Sequence, residues 1–340
     1  METVLVTGVT GRVGANLAVA LQRIGYGVRG VVMPGDPQTA KIERLEIDTV
    51  QCDLRDTDAV LRACQGVDTI IHLAAAMGKY PGMTDRDYFD VNVTGTWNMV
   101  YAASQSAPNL QRFVFASTDA VYSAQQVQYL PMDEQHPRQP FAPYGMVKLL
   151  GEDVVNHFHR QVAMPTVICR FGTIMAGDQI LNLFTAEHAI INLKQAQHPL
   201  SNLYVQGVEQ PWKLIEEAVD DPHTLLIPRN KERKPWIHNP TDVRDTIQGI
   251  LLAMEKDAAI GETFNILAAE GTSWEEGALY VHEKTGRPYE DIRLPVYWAF
   301  YSDISKARKL LGYAPQYDYR RMIDDALAFQ AGIDIGVMPA

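Results

Sequence analysis

The sequence predicts an α/β protein: a doubly wound parallel sheet with a smaller C-terminal α/β lobe. Three observations predict it. Over the first half, short apolar runs alternate with helical stretches, the pattern of a parallel sheet covered on both faces. A glycine-rich turn separates the first apolar run from the first helical stretch. The second half loses this alternation, as a lobe of different construction would.

Val4-Leu5-Val6 reads as the first strand, and Val13, Leu17, Ala20 and Leu21 recur at helical spacing after it. Val28 to Met33 predicts the second strand and Thr49-Val50-Gln51 the third. Thr69-Ile70-Ile71-His72, Phe113 to Ala116 and Thr166 to Cys169 continue the series, with helices expected near 57–65, 91–105 and 144–160. Residues 178–235 show no clean alternation and are broken by Pro211, Pro222 and Pro228. Helices are expected at 241–255, 273–285, 303–311 and 318–330, with one strand at Thr263-Phe264-Asn265-Ile266.

Of the 340 residues, 46% are hydrophobic and 21% charged, enough to bury a sizeable core. A net charge of -11 argues against nucleic acid or an anionic membrane as partner, because both call for excess Lys and Arg. Cys52, Cys64 and Cys169 have no metal spacing and are odd in number, which suits free thiols in a reducing compartment. The chain begins on a strand-like run, and no apolar run approaches the ~18 residues of a membrane span. A cytoplasmic enzyme without a metal site is expected.

Thr7-Gly8-Val9-Thr10-Gly11-Arg12-Val13-Gly14 lies between strand and helix. A tight turn, close approach of backbone to a pyrophosphate and close packing of helix on strand each require glycine there. The free N–H groups of the helix start would meet the anion. This is the turn of a Rossmann-type NAD(P) site, with Gly8, Thr10, Gly11, Arg12, Val13 and Gly14 as binding residues. Asp53-Leu54 follows the third strand, where a carboxylate and a backbone N–H can pair with adenine; Asp53 also suits a helix N-cap. Leu73-Ala74-Ala75 follows the fourth strand and is small enough for a cofactor to lie against.

Val31-Val32-Met33-Pro34 offers neither the carboxylate that binds a ribose 2′-OH nor an Arg for a 2′-phosphate. Asp36 lies a little further on, and Arg12 and Lys41 suit a phosphate. NAD and NADP both stay open, with NAD first. Residues 1–172, with a return near 236–267, are expected to form the dinucleotide domain, and 173–235 with 268–340 the substrate lobe.

Tyr144 and Lys148 stand at i and i+4 on one helix face. A tyrosine used as acid and base near neutrality needs its pKa lowered, and both an ammonium and a cationic nicotinamide ring favour the phenolate. Thr118 ends an apolar strand, and ligands of open α/β sheets bind beyond the carboxyl ends of the strands. Its hydroxyl can hold the substrate oxygen whose proton Tyr144 moves.

These motifs resemble the extended short-chain dehydrogenase/reductase family, the NAD-dependent epimerase/dehydratase group. The resemblance includes the glycine turn, Asp53-Leu54, the run from Ile71 to Ala75, Asn92 to Thr96, Ser117 to Tyr122, Tyr144 to Lys148 with Gly151-Glu152, and Cys169-Arg170-Phe171. It continues through Thr263 to Ile266 and Ser302 to Arg308. It implies Tyr144 as general acid/base, Lys148 lowering its pKa and binding the nicotinamide ribose, Thr118 on the substrate oxygen and Asn92 as a structural brace. It also implies a homodimer formed through the helices near 91–105 and 144–160.

The sequence departs from the family at three places. Thr118-Asp119-Ala120 lacks the Glu that serves sugar dehydratases, which disfavours elimination and leaves Asp119 as a substrate candidate. Thr173 stands where nucleotide-sugar enzymes often carry Asn, and Lys234 to Asp242 distorts a family motif. Arg229, Lys231, Arg233 and Lys234 cluster just before it, either gripping a diphosphate or carboxylate through Arg229 and Arg233, or forming a solvated loop. The expected activity is epimerisation of a nucleotide sugar. The alternatives are a dehydrogenase or ketoreductase acting on a smaller hydroxy or keto compound, and a cofactor-binding protein without turnover.

Overall fold

The structure, a computed structural model, describes residues 1–338 apart from 79–81, 123, 125, 126, 199, 200 and 202. Seven parallel strands form the central sheet: β1 (Thr3–Thr7), β2 (Gly27–Val32), β3 (Asp48–Gln51), β4 (Thr69–His72), β5 (Arg112–Thr118), β6 (Thr166–Phe171) and β7 (Thr263–Ile266). Their order is β7-β6-β5-β4-β1-β2-β3. Strands β4, β5 and β6 are buried along their whole length, which is why they read as continuous apolar runs rather than as alternation.

The chain leaves β1 toward β2 and β3, then returns to lay β4 on the other side of β1. The strand order therefore switches direction between β1 and β4, and beyond the carboxyl ends at such a switch is the usual ligand position in these sheets. The glycine turn follows β1 and the Leu73–Ala76 loop follows β4 at these ends.

Helix α1 (Arg12–Arg23) buries Ala15, Leu17, Ala18 and Leu21 against the sheet. On the other face lie α2 (Thr57–Ala63), α3 (Gly95–Ser106) and α4 (Pro143–Val162). Proline at its first turn suits the start of α4, and Ala163 in the left-handed region (φ 52°) ends it. Helix α5 (Val243–Glu255) packs beside α1. The single helix expected near 91–105 is a π-helical turn, Asp90–Thr94, running into α3, and a short helix, Asp85–Phe89, precedes them.

A second core surrounds Phe184, Trp236, Trp274 and Trp298, where α6 (Trp274–Thr285) and α7 (Tyr319–Gln330) pack. The region without alternation contains helix Ala186–Gln195 and a buried strand, Leu225–Arg229. That strand pairs in parallel with Tyr289–Arg293, which the sequence did not suggest because its residues are charged and largely exposed.

Candidate active site

The glycine turn is tight and closely approached by its neighbours. Gly8 adopts φ +67°, and a Cβ there would stand 3.0 Å from the Ala74 backbone. At Gly14 a Cβ would come within 2.1 Å of the Gly8 carbonyl oxygen, so α1 approaches the turn only with glycine in place. Gly11 caps α1 with no side chain over its free N–H groups. Thr10 lies buried beside the turn and donates its hydroxyl to Asp36 at 2.6 Å.

Asp36 accordingly sits at the turn, although it lies beyond the end of β2. The two basic residues weighed for a 2′-phosphate are engaged elsewhere. Lys41 donates to Gln38 at 2.8 Å. Arg12 donates to the Ile174 carbonyl, and its Nε is buried without a partner.

Asp53 does not cap α2. That role belongs to Asp56, which accepts from Ala59 N at 3.1 Å. Both Asp53 oxygens instead receive Arg55, at 2.6 Å for Nη2, and this ion pair is the main reason its carboxyl is held below the ordinary range. Leu54 is buried beneath Gly95, where a Cβ would come within 3.0 Å of it, and its carbonyl accepts from Asn98 at 2.8 Å.

The Leu73–Ala76 loop is held from behind. Ala74 N donates to Thr7 Oγ1 at 3.0 Å, and Asn92 clamps Ala76 by accepting from its N–H (3.0 Å) and donating to its carbonyl (3.2 Å). Asn92 reaches this loop from the π-helical turn, a local widening often found at functional sites.

Thr118, Tyr144 and Lys148 come from the end of β5 and the first two turns of α4. Gly145 allows this approach, since a Cβ there would stand 2.1 Å from the Ala120 carbonyl oxygen. Thr118 Oγ1 accepts from Ala120 N at 3.1 Å and donates to Asp119 at 3.3 Å. Asp119 presses toward the bend after β6, its Oδ2 2.9 Å from where a Gly172 Cβ would be. Burial pushes the Asp119 carboxyl up to about 7.

Lys148 is buried with its Nζ 4.2 Å from the centre of the Phe115 ring, and burial lowers it to about 7 against the pull of Glu152. In the protein alone the expected lowering of Tyr144 does not occur. Burial first, then Tyr88 and Asp119, raise its phenol. The Lys148 ammonium is itself disfavoured by burial and does not offset them.

Sequence reading missed the brace behind this trio. Glu152 and Arg170 are both buried and paired at 2.7 and 2.8 Å. Glu152 also accepts from Ser117 at 2.6 Å and Arg138 at 3.1 Å, while Arg170 donates to Tyr122 at 2.7 Å. Tyr122 passes on to Asn265 on β7, whose amide donates to the Met132 and Asp303 carbonyls. The only signal in the sequence was the presence of these residues among the family motifs.

The other substrate candidates are scattered. Thr173 is exposed just after β6, and its carbonyl accepts from Thr241 N at 2.9 Å. Arg233 is exposed in a turn at φ 66°. Arg229 is buried and paired within the lobe. Its guanidinium is shared between Glu275 at 2.6 Å, Asp291 at 2.7 Å and the Arg233 carbonyl at 3.2 Å, partners that all lie within the lobe.

A model of the NAD-dependent epimerase/dehydratase family matches residues 4–266. The chain belongs to that family. A solved short-chain dehydrogenase/reductase superfamily protein from Agrobacterium tumefaciens, with bound NAD, is 31% identical with a TM-score of 0.83, over 97% of this chain and 98% of that one. A UDP-glucose 4-epimerase of Rhizobium leguminosarum bv. trifolii is 26% identical over 97% of this chain and 98% of its own. An L-arabinose 1-dehydrogenase (NAD(P)(+)) of Haloferax volcanii is 29% identical over 58% of this chain and 76% of its own. The epimerase/dehydratase membership read from the motifs is thus the membership found, and the seven-stranded sheet is the expected fold.

Proposed function

We propose that this protein holds NAD over the glycine turn and epimerises a carbinol centre of a nucleotide sugar. The observation that supports the reading is that Thr118 ends β5 while Tyr144 and Lys148 stand on the helix packed against that end, in a chain similar over nearly its full length to a UDP-glucose 4-epimerase. Residues 1–172, with the return near 236–267, form the cofactor domain in this reading. The lobe of 173–235 and 268–340 reads the substrate, with Asp119, Thr173 and Arg233 as its candidate contacts.

Asp36 favours NAD over NADP. Its carboxylate, held at the turn by Thr10, suits a ribose 2′-OH and repels a 2′-phosphate. Gly8, Gly11, Val13 and Gly14 receive the pyrophosphate, Asp53 and Leu54 lie toward the adenine, and Leu73, Ala74 and Ala75 lie against the cofactor. When bound, NAD supplies the hydride acceptor and a positive charge near the phenol.

Thr118 turns its hydroxyl from Asp119 to the substrate oxygen and orients it. Tyr144 takes the proton from that oxygen as the carbonyl forms and returns it after the sugar has presented its other face. Lys148 holds the ribose and, once charged, offsets the burial that raises Tyr144. Net cofactor consumption is zero.

The exposed Trp97, Tyr101, Met146 and Leu150 on α3 and α4 support a homodimer through these helices. The three cysteines are free and buried, which supports a cytoplasmic setting. Among the described residues no helix is long and apolar enough to cross a membrane. A second reading, a dehydrogenase on a smaller hydroxy compound, is favoured by the internal pairing of Arg229, which removes one expected grip on a diphosphate.

Mass spectrometry of small molecules released on denaturation separates the two. Stoichiometric NAD, with interconversion of UDP-hexose epimers and loss of turnover in Tyr144→Phe, is the expected result. An empty protein that binds the dinucleotide reversibly and reduces it with a free sugar would establish the second reading. Full activity in Tyr144→Phe would overturn both.

A further inference from the structure

The first turn of α1 is tethered by a residue that the glycine motif does not account for. Asn16 is buried and uses its whole amide. Its Nδ2 donates to the Arg12 carbonyl at 2.8 Å and to the Met338 carbonyl at 3.0 Å, while its Oδ1 accepts from Met338 N at 2.7 Å. Asparagine inside a helix competes with the backbone and weakens it. Here every polar atom of the amide is instead matched to the peptide groups of a segment 322 residues away.

That segment, residues 333–338, follows α7 and runs back over the sheet. Val337 is buried in the main core, and Ile335 and Met338 pack against it. Arg244 on α5 donates to the Ile335 carbonyl at 3.3 Å. The same guanidinium pairs with Asp242 and with Asp325 of α7, both at 2.7 Å, and lies 3.6 Å from the Tyr317 ring centre. The strap therefore joins the last helix of the lobe to the first turn of α1. On the other side of that turn Arg12 donates to the carbonyl of Ile174, just past β6.

We propose that Asn16 is a positioning residue for the dinucleotide: by tying Arg12 to the 333–338 strap it fixes the first turn of α1, whose free N–H groups meet the pyrophosphate. The inference rests on the NAD reading of the site. A helix end gains affinity for an anion only when its N–H groups are held in one direction, and untethered first turns fray. The strap makes cofactor affinity depend on how the lobe's last helix is seated.

Two variants test this, Asn16→Ala and a chain ending at Gly332. Each is examined by hydrogen exchange of amides 15–18, the first that bond within the helix, without ligand, by NAD titration and by thermal denaturation. We expect exchange of those amides to rise and NAD affinity to fall, each about tenfold, with protection of β4 and β5 unchanged. Should the shortened chain fail to fold, Asn16→Ala alone decides. Exchange and affinity both within twofold of the parent, whatever the change in melting temperature, would reduce the strap to packing and overturn the inference. A parent protein that binds no NAD at all would instead overturn the reading of the site, and the positioning role with it.

Discussion

Thr7 donates its hydroxyl proton to Nδ1 of His72 across 2.8 Å, the direction that follows once burial keeps the ring neutral. Thr96 spends its own proton on the Asn92 carbonyl at 2.7 Å, so it accepts from His72 Nε2 at 3.2 Å. In the neutral ring Nδ1 is then bare, and Thr7, which also accepts from Ala74 N, is its donor. The neutral ring ties the loop after β4 to the start of α3. Burial first, then the nearby Lys148 charge, lower His72 to about 3.

Folding stability should carry the signature of this ring. The native state keeps His72 neutral while the unfolded chain protonates near its ordinary 6.5. Its contribution is complete above that pH and is lost as pH falls toward 3, at about 1.4 kcal/mol per pH unit. Urea unfolding of His72→Gln at several pH values from 7 to 4.5 should show a slope shallower by one proton. An unchanged slope would mean that His72 protonates in place.

Asp119 should shape the pH dependence of turnover. Its carboxyl is raised to about 7 by burial, and its charge is one of the influences that raise Tyr144. Asp119→Asn should remove an inflection near 7 from the kcat/KM profile and move the limb on which the phenolate forms to lower pH. The native carboxyl titrates above its unfolded value, so its contribution to stability is present in acid and is lost as pH rises through about 7. The Asn variant should lack that loss. A profile with the inflection intact would assign it to another group, Lys148 being the alternative.

Cofactor choice should turn on Asp36. Thr10 holds its carboxylate against the turn at 2.6 Å, and the basic residues weighed for a 2′-phosphate are paired elsewhere. Asp36→Asn should leave NAD binding within about threefold and improve NADP binding about tenfold, as expected when one repulsive charge is removed near a partly exposed site. Titration with both dinucleotides measures the ratio directly, and an unchanged ratio would move the selection to another residue.

Arg229 should matter to stability and not to substrate. Arg229→Met leaves Glu275 and Asp291 facing each other without their shared cation and should cost about 2 kcal/mol in urea unfolding. KM for the substrate should stay within about twofold, because a residue that binds no diphosphate removes no binding energy. A large rise in KM with stability intact would restore Arg229 to the substrate site.

What could be read beforehand follows from the range of each interaction. The buried strands are short continuous apolar runs, and the glycine turn and the Tyr144–Lys148 face are local spacings within a few residues. The Arg229 ion pairs close over 46 and 62 residues, and the His72 bond to Thr7 over 65. Nothing in the neighbourhood of either residue marks its partner. Glu152 and Arg170 stand only 18 residues apart, but a helix and a strand on different layers bring them together, not a period. Tyr289–Arg293 escaped for a different reason: it forms a strand by pairing with Leu225–Arg229 while its side chains stay largely in solvent, so its burial leaves no hydrophobic imprint.

Assembly should turn on the outer faces of α3 and α4. These helices pack on each other, with Trp97 edge-on to Phe158 at 5.3 Å, and that contact uses only one side of the indole. Trp97, Tyr101, Met146 and Leu150 stay exposed, more apolar surface than a solvated helix pair needs. A twofold axis along these helices would bury them against their own copies, since an isologous contact brings one patch onto itself. Leu150→Glu should then place two carboxylates at the contact and give a monomer in sedimentation at micromolar concentration, with circular dichroism unchanged. Because Tyr144 and Lys148 lie on α4 itself, the monomer should also lose part of its turnover through a looser helix, with NAD still bound at the turn on α1. A Leu150→Glu protein that sediments as the parent does would place the interface elsewhere.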